Sequence, residues 1–523
     1  MCSLALAWTV ATIVAASEEQ PATSSLLRAS KPNVVFILAD DLGYGDLRCL
    51  NPEGKIATPH LDRLAAEGMR FTDAHSSSSV CTPTRYSLLT GRYNWRSRLK
   101  NGVLGGLSPP LIEPQRWTLA SLLKRQGYHS TCIGKWHLGL DWVRKPKVAP
   151  FGDVIEKGEA GWSVDFTQPF GGGPTTVGFD EFFGIAASLD MIPYTYLSGD
   201  RVVKLPTVDM AFEMMQGDAR QMTRKGPGAE GFSAADVLPE FTKRTIDYLE
   251  RRAPAAREGR PFFVYLPLAS PHTPIAATPD WLGKSGLNPY ADFVQQTDHA
   301  VGQVLAALER LQLADDTLVV FTSDNGCSPQ ADFPTLKAGG HNPNYAFRGH
   351  KADIFEGGHR VPLIVRWPGV VRANSTSDRL VGLVDWFATL AQIVGQDLPD
   401  DAGEDSVNFL ETLKGAPDQA PRPPLVHHSI NGSFAIRDGD WKLILCSDSG
   451  GWSDPKPGSA AAKMLPKRQL YNLRTDLGER LNLATQHPET VERLERLLKE
   501  WQASPRSIAR TSPPSSADAA RAK

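Results

Sequence analysis

The chain has 523 residues, of which 41% are hydrophobic and 22% charged, with a formal net charge of -2. That length exceeds an ordinary single domain and predicts one large domain with a smaller one attached. The near-neutral balance excludes a global basic field for nucleic acid, so any anion binding is local.

In chain order, the first segment is "MCSLALAWTVATIVAAS", an apolar run from Leu4 to Ala16 that gives way to small residues before Glu18 and Glu19. It reads as a signal peptide over residues 1–17 and predicts export, to a periplasm, the outside or a lysosome-like compartment. No Lys or Arg precedes the run, and no stretch reaches the ~18 uninterrupted apolar residues a membrane helix needs. The mature protein is expected to be soluble, without a stable membrane span. Loss of the leader removes Cys2 and leaves Cys49, Cys81, Cys132, Cys327 and Cys446, far apart and without a C-x-x-C pair. This is neither a disulfide scaffold nor a zinc ribbon, and an odd count leaves at least one thiol unexplained by pairing.

Four segments share one pattern, a short apolar run bounded like a buried strand that ends in polar residues. "NVVFILADDLGYGD" delivers Asp40 and Asp41, and "GYHSTCIGKWHLG" delivers Lys135 and His137. "PFFVYLPLASPHTP" delivers His272, and "DTLVVFTSDNG" delivers Asp324 and Asn325. Helical stretches lie between them: "TPHLDRLAAEGMRF", with Thr58 as N-cap and Pro59 at the first position, and "DFVQQTDHAVGQVLAALERLQL". Strands alternating with helices predict an α/β fold with a large, mostly parallel sheet sandwiched by helices. Such sheets bind ligands beyond the carboxyl ends of their strands, where all four polar deliveries fall.

"SVCTPTRYSLLTGR", residues 79–92, sets Cys81 ahead of Pro83 and Arg85. Disulfide partner, metal ligand, nucleophile and modification site are the four open roles for that cysteine. Pro83 at a first helical position and Gly91 at the far end place Cys81 at the mouth of a short helix, with Arg85 on its face. Free N–H groups, the helix dipole and a guanidinium fork converging there would hold a tetrahedral oxyanion, phosphate or sulfate. Lys135 and Lys351 would add positive charge. Asp40, Asp41, Asp324 and Asn325 offer four oxygen ligands and no sulfur or nitrogen, a set that suits Ca²⁺ or Mg²⁺ better than zinc.

From residue 424 the texture changes to short strands, "RPPLVHHSINGSFAIRDGDWKLILC", followed by the helix "PETVERLERLLKEW" with Val491, Leu494, Leu497, Leu498 and Trp501 on one stripe. A C-terminal subdomain of antiparallel sheet plus helix over 424–505 is expected after a catalytic domain over 28–423. A disordered tail over 506–523 follows.

"CTPTR" with "YSLLTGR" resembles the first sulfatase signature, and "GYHSTCIGKWH" the second. "ADDLGYGD" and "TSDNG" are similar to the calcium loops of that family, and the similarity runs on to "LYNLRTDLGERLNLA" at 470–484. The resemblance implies an alkaline-phosphatase-like fold and a sulfuric ester hydrolase in which Cys81 is oxidised to formylglycine by a maturating enzyme during export. A hydrated aldehyde has one hydroxyl to attack sulfur and a second whose deprotonation expels the sulfate. By the same resemblance one Ca²⁺ is bound by Asp40, Asp41, Asp324 and Asn325, with the modified Cys81 completing the shell. Arg85 and His137 hold and deprotonate the hydrate. Lys135, His272 and Lys351 grip the sulfate, and His272 or Lys351 protonates the leaving alcohol. Ser188 aligns with a sulfate-contacting residue of the arylsulfatase A branch, and Asp190, Met191, His341 and Asn342 are expected around the alcohol. The texture of "GFDEFFG" and "HNPNY" is similar to the arylsulfatase A and N-acetylgalactosamine-sulfatase branch, which implies a sulfated glycan or small aryl substrate.

Two rivals stay open. A phosphonate or phosphodiester hydrolase would share the fold, although Asn325 stands where those enzymes tend to carry a histidine. With Cys81 unmodified, the chain would instead be a non-catalytic sulfated-glycan-binding protein.

Overall fold

The strand Asn33–Ala39 runs through the middle of the molecule with every residue buried, which is why its sequence is a continuous apolar run and not an alternation. In a computed structural model that describes residues 31–417 and 420–509, this strand lies at the centre of a ten-stranded sheet. The leader, and the tail from residue 510 onward, lie outside the described residues. Five central strands are parallel, in the spatial order 317–323, 33–39, 262–267, 129–135, 181–185. The flanks add antiparallel pairings, 363–366 against 317–323 on one side and 197–198 against 181–185 on the other.

Helices cover both faces. Pro59–Ala66, Val237–Arg257 and Pro289–Arg310 pack together on one, and Cys81–Thr90, Leu119–Arg125 and Trp386–Ile393 on the other. Alternating strand residues serve the two layers: Phe36 meets Trp386 edge-on at 5.6 Å between ring centroids, while Phe262 meets Tyr248 at 6.2 Å. Burying each such ring contributes about 1.5–3 kcal/mol, so this sandwich holds the strand ends rigidly.

A four-stranded antiparallel sheet follows in the order 425–428, 434–438, 441–444, 469–472. The helix Pro488–Ala503 lies on it through buried Val491, Leu494 and Leu498, with Leu497 and Trp501 partly buried beside them. Beyond that helix, Ser507 and Ile508 donate backbone bonds to the Glu404 carbonyl, each at 3.2 Å.

The small sheet docks on the large body through a buried polar cluster that the sequence did not announce. Arg437 clasps Asp73 at 2.6 and 2.7 Å, and Lys442 contacts Glu356 at 3.0 Å and Glu479 at 2.8 Å. Lys442 Nζ also lies 3.0 Å from His359 Nε2, His359 Nδ1 lies 3.0 Å from His75 Nδ1, and His75 Nε2 lies 2.8 Å from Asp73 and 3.0 Å from Arg437 Nη1. This docking reaches the next functional segment directly. Ser79 donates to the His428 carbonyl and accepts from the Ala352 amide, so the small sheet braces both the approach to Cys81 and the Lys351 loop.

Candidate active site

The parallel strands deliver Asp40 and Asp41, Lys135 and His137, His272, and Asp324 and Asn325 at one edge, as their spacing predicts. Asp41 takes a left-handed backbone conformation, φ +62°, which turns two successive carboxylates into one site. The loop that allows this is clamped from behind. Asp46 accepts from the Gly43 amide at 2.8 Å and meets His341 Nε2 at 2.8 Å, while the Tyr290 hydroxyl lies 2.5 Å from Asp46 Oδ2 and 3.3 Å from the Asp41 carbonyl. Glycine is required at position 45, where a Cβ would stand 2.2 Å from the Asn342 carbonyl.

His341 is therefore not a lining residue for the alcohol as expected; it is buried behind the acidic loop, held by Asp46. Asn342 is exposed and lines a separate surface cavity beside Tyr345 and Arg348. Asp46 and Tyr290 were missed by the sequence reading. Asp46 lies within the quoted "ADDLGYGD", but nothing in sequence pairs it with a tyrosine 244 residues away.

Cys81 opens the helix Cys81–Thr90, so Pro83 is its third residue and not its first, and Gly91 ends it at φ +64°. Burial pushes the Cys81 thiol up despite Lys135 and Lys351 nearby, so it is a poor nucleophile as it stands. Its sulfur is 3.6 Å from Asp40 Oδ1. Arg85 does not present an open fork to an oxyanion at the helix mouth. Its Nε and Nη2 clasp Asp324 at 3.1 and 2.7 Å, and Nη1 bonds the Lys135 carbonyl at 2.9 Å. The physical reason is burial: a fully desolvated guanidinium takes the nearest carboxylate.

The two lysines are paired likewise, Lys135 with Asp40 at 2.6 Å and Lys351 with Asp41 at 2.7 Å. Burial would raise the Asp40 carboxyl, but Lys135, His272, Arg85 and Lys351 hold it well below its ordinary value. Asp324 is pushed up to about 6 by burial and by Asp40, against the pull of Arg85. Burial and the Lys351 charge lower His272, and burial with Lys135 lowers His137 further, so both rings are neutral. His272 Nδ1–H donates to the Thr273 carbonyl at 2.6 Å, leaving its Nε2 lone pair 3.6 Å from Asp41. His137 Nε2–H donates to the Leu104 carbonyl at 2.8 Å, leaving a buried, unpartnered Nδ1 as an acceptor.

The donors fit a hard cation. Asp40, Asp41, Cys81 and His272 each bring one ligand atom within 4.8 Å of the others, and Asp324 Oδ1 accepts from the Asp41 amide at 3.3 Å. Asn325 Oδ1 is buried with no partner, while its amide nitrogen bonds Asp41 Oδ1 at 2.7 Å. A buried, orphaned oxygen beside three carboxylates is the donor arrangement of a cation site. His75, His359 and His427 also bring donor atoms together, but the rings of His359 and His427 stack at 3.8 Å and 12°. In-plane lone pairs on parallel rings do not converge, and Lys442 and Arg437 stand beside them, so that cluster does not suit a cation.

A cavity of about 650 Å³ opens over the site. Cys81, His137, His272 and Lys351 lie among its lining residues, together with Ser188, Asp190, Met191, Thr223, Arg224 and Trp452. Arg224 and Trp452 were not foreseen. A larger cavity, about 720 Å³ beside Arg96 and Glu404, contains none of the expected site residues. No helix among the described residues is long and apolar enough to cross a membrane.

Comparison with known proteins agrees with this geometry. The family model described as Sulfatase matches residues 32–396. An N-acetylgalactosamine-6-O-sulfatase of Bacteroides thetaiotaomicron is 34% identical over 507 residues, covering 90% of this chain and 93% of the relative. Arylsulfatase A of Homo sapiens is 31% identical over 492 residues, covering 91% and 88%. A protein solved in work on the metabolism of multiple glycosaminoglycans by Bacteroides thetaiotaomicron superposes with a TM-score of 0.76 at 32% identity, over 91% of this chain and 100% of that one. The chain belongs to the sulfatase family and is a hydrolase of sulfuric esters.

Proposed function

We propose that this enzyme removes sulfate from sulfated sugars, using one Ca²⁺ and a formylglycine made from Cys81. The observation that carries this reading is the meeting, at one sheet edge, of the Asp40, Asp41 and Asp324 carboxylates with the orphaned Asn325 oxygen, a buried cysteine whose thiol bonds Asp40 and no histidine, and cations paired one to one with the acids. Asp40, Asp41 and Asp324 carry three negative charges and Arg85, Lys135 and Lys351 three positive ones, so the side chains alone are balanced. A divalent cation held by Asp40, Asp41, Asp324 and Asn325 leaves the site with a net positive charge of two, which calls for an anionic substrate. Oxygen donors without sulfur favour calcium over zinc.

When present, the cation and the formylglycine hydrate supply electrostatic stabilisation and the attacking hydroxyl. The chain's residues do the rest. Lys135 and Lys351, relieved of their carboxylates, turn to the nonbridging sulfate oxygens, with Ser188 beside them. The His137 Nδ1 lone pair accepts the proton of the hydroxyl, and Arg85 fixes the geometry of the acidic set by its hold on Asp324. Lys351, or His272 once its Nε2 has taken up a proton beside the bound sulfate, gives a proton to the leaving alcohol oxygen.

The sulfated-sugar substrate follows the printed name of the N-acetylgalactosamine-6-O-sulfatase relative and the polar groups of Asp190, Thr223 and Arg224 in a cavity wall that also carries Met191 and Trp452, and N-acetylgalactosamine 6-sulfate is the first sugar to try. Export on the 1–17 leader and oxidation of Cys81 by a maturating enzyme belong to the same proposal. Mass spectrometry of the Cys81 peptide from active protein tests it: the formylglycine form is lighter than the cysteine form, and Cys81→Ala should leave a folded, inactive chain. Active protein carrying only unmodified Cys81 would end the mechanism.

A further inference from the structure

Among the residues that line the cavity, three have a buried polar atom with no protein partner: His137 Nδ1, which has its role as proton acceptor, Ser188 Oγ and Asp190 Oδ1. Ser188 has a place in the sulfate end of the site, but Asp190 has no role in the chemistry. It is only 9% exposed, and a buried carboxylate oxygen left unpaired is costly unless something else supplies the donor. Its other oxygen accepts from Arg224 Nη1 at 2.9 Å, and Arg224 Nη1 also bonds the Asp190 backbone carbonyl at 3.1 Å. Both hydrogen bonds of Arg224 leave from that one nitrogen, and its side chain is 38% exposed in a wall that faces Cys81 and Lys351.

The pair thus presents, side by side, an acceptor that wants a hydroxyl hydrogen and a guanidinium with further donors. A hydroxyl group offers both a hydrogen and lone pairs, so one sugar hydroxyl can satisfy the two at once. An aryl or steroid alcohol has no second hydroxyl near its ester oxygen and would leave Asp190 unpaired. We infer that Asp190 and Arg224 determine specificity by binding an unsulfated hydroxyl of the sugar ring that bears the sulfate. The inference rests on the sulfated-sugar reading above and adds the groups that select the sugar.

The test uses the full-length, calcium-loaded, matured enzyme with 4-nitrophenyl sulfate and a panel of sulfated monosaccharides that includes N-acetylgalactosamine 6-sulfate. Asp190→Asn keeps the shape and the backbone carbonyl that holds Arg224. It should lower the ratio of sugar-sulfate to aryl-sulfate kcat/KM by about 10- to 100-fold, the loss expected when a charged buried acceptor is removed. Arg224→Met should shift the ratio in the same direction. A deoxy analogue lacking the hydroxyl in question should respond to neither substitution. An equal fall on both substrate types would mark the pair as structural and overturn the inference, as would an unchanged ratio. If the wild-type enzyme cleaves the aryl sulfate and no sugar sulfate, the pair reads no sugar; if it cleaves neither, the sulfatase mechanism itself has failed.

Discussion

Lys351→Met should destabilise the metal-free protein far more than the calcium-loaded one. Lys351 is the partner of Asp41 at 2.7 Å, with the two side chains 7% and 1% exposed. Removing one member of a buried pair leaves an uncompensated charge and costs about 3–5 kcal/mol. At about 2.1 cal/mol/K of unfolding entropy per residue, a chain of this length loses about 1 °C of Tm per kcal/mol, so the midpoint should fall by about 3–5 °C in chelator. Calcium supplies the missing positive charge to Asp41 directly, and the same substitution then relieves a repulsion between lysine and metal. If calcium cancels half the penalty, about 2 kcal/mol, linkage requires Lys351→Met to bind calcium roughly 30-fold tighter than wild type while losing turnover. Scanning calorimetry with excess calcium and with chelator, plus calcium titration of both proteins, reads the two quantities. Equal shifts in the two conditions, or weaker calcium binding by the variant, would refute the idea that lysine and metal compete for Asp41.

Two further outcomes follow from the surroundings of the site. Tyr290→Phe removes the hydroxyl that stands between Asp46 and the Asp41 carbonyl, and it should weaken calcium binding roughly 10-fold with the fold intact by circular dichroism; an unchanged affinity would leave Tyr290 a packing residue. Burial lowers His428 to about 4 in the folded chain, against about 6.5 when unfolded, so below pH 6.5 the unfolded state takes up a proton that the folded state refuses. His428 is thus stability-neutral above pH 6.5 and destabilising as pH falls to 4, at about 1.4 kcal/mol per pH unit. Relative to wild type, His428→Gln should flatten the stability profile between pH 6.5 and 4 by up to about 3 kcal/mol, and parallel denaturation profiles would contradict this.

What could be read from the sequence depended on whether a feature was local. The runs at 33–39 and 317–323 are buried on both faces, so their apolar content is continuous and the first polar residues after them mark the strand ends. That is why the sequence alone places Asp40, Asp41, Asp324 and Asn325 just beyond the strand ends. Cys81, Arg85 and the glycine that ends their helix sit within one turn-and-helix pattern and were equally legible. Contacts between distant segments were not. His341 and Asn342 stand close in sequence to Lys351, yet the 341–345 turn folds onto the back of the acidic loop, where Gly43 and Gly45 leave room for it. Arg224 comes from an irregular stretch without helical or strand periodicity, so nothing local pointed it at Asp190. Pairing also decided what an isolated side chain could not: Arg85 was expected to face an oxyanion, but a buried guanidinium beside Asp324 binds the carboxylate.

The claim at the centre of the account is that this site turns over sulfate esters and not merely tetrahedral anions in general. Sulfate monoesters carry one negative charge on the transferring group and phosphate monoesters nearly two near neutral pH, so a cationic pocket would bind either. Turnover separates them, because the route through formylglycine ends by expelling sulfate, with Lys135, His272 and Lys351 placed for its nonbridging and leaving oxygens. The most direct measurement is kcat/KM for matched aryl sulfate, phosphate and phosphonate esters on one preparation of known calcium and formylglycine content. A preference for the sulfate by orders of magnitude is the predicted result. A clear preference for either phosphorus ester would contradict the account and leave only the fold standing.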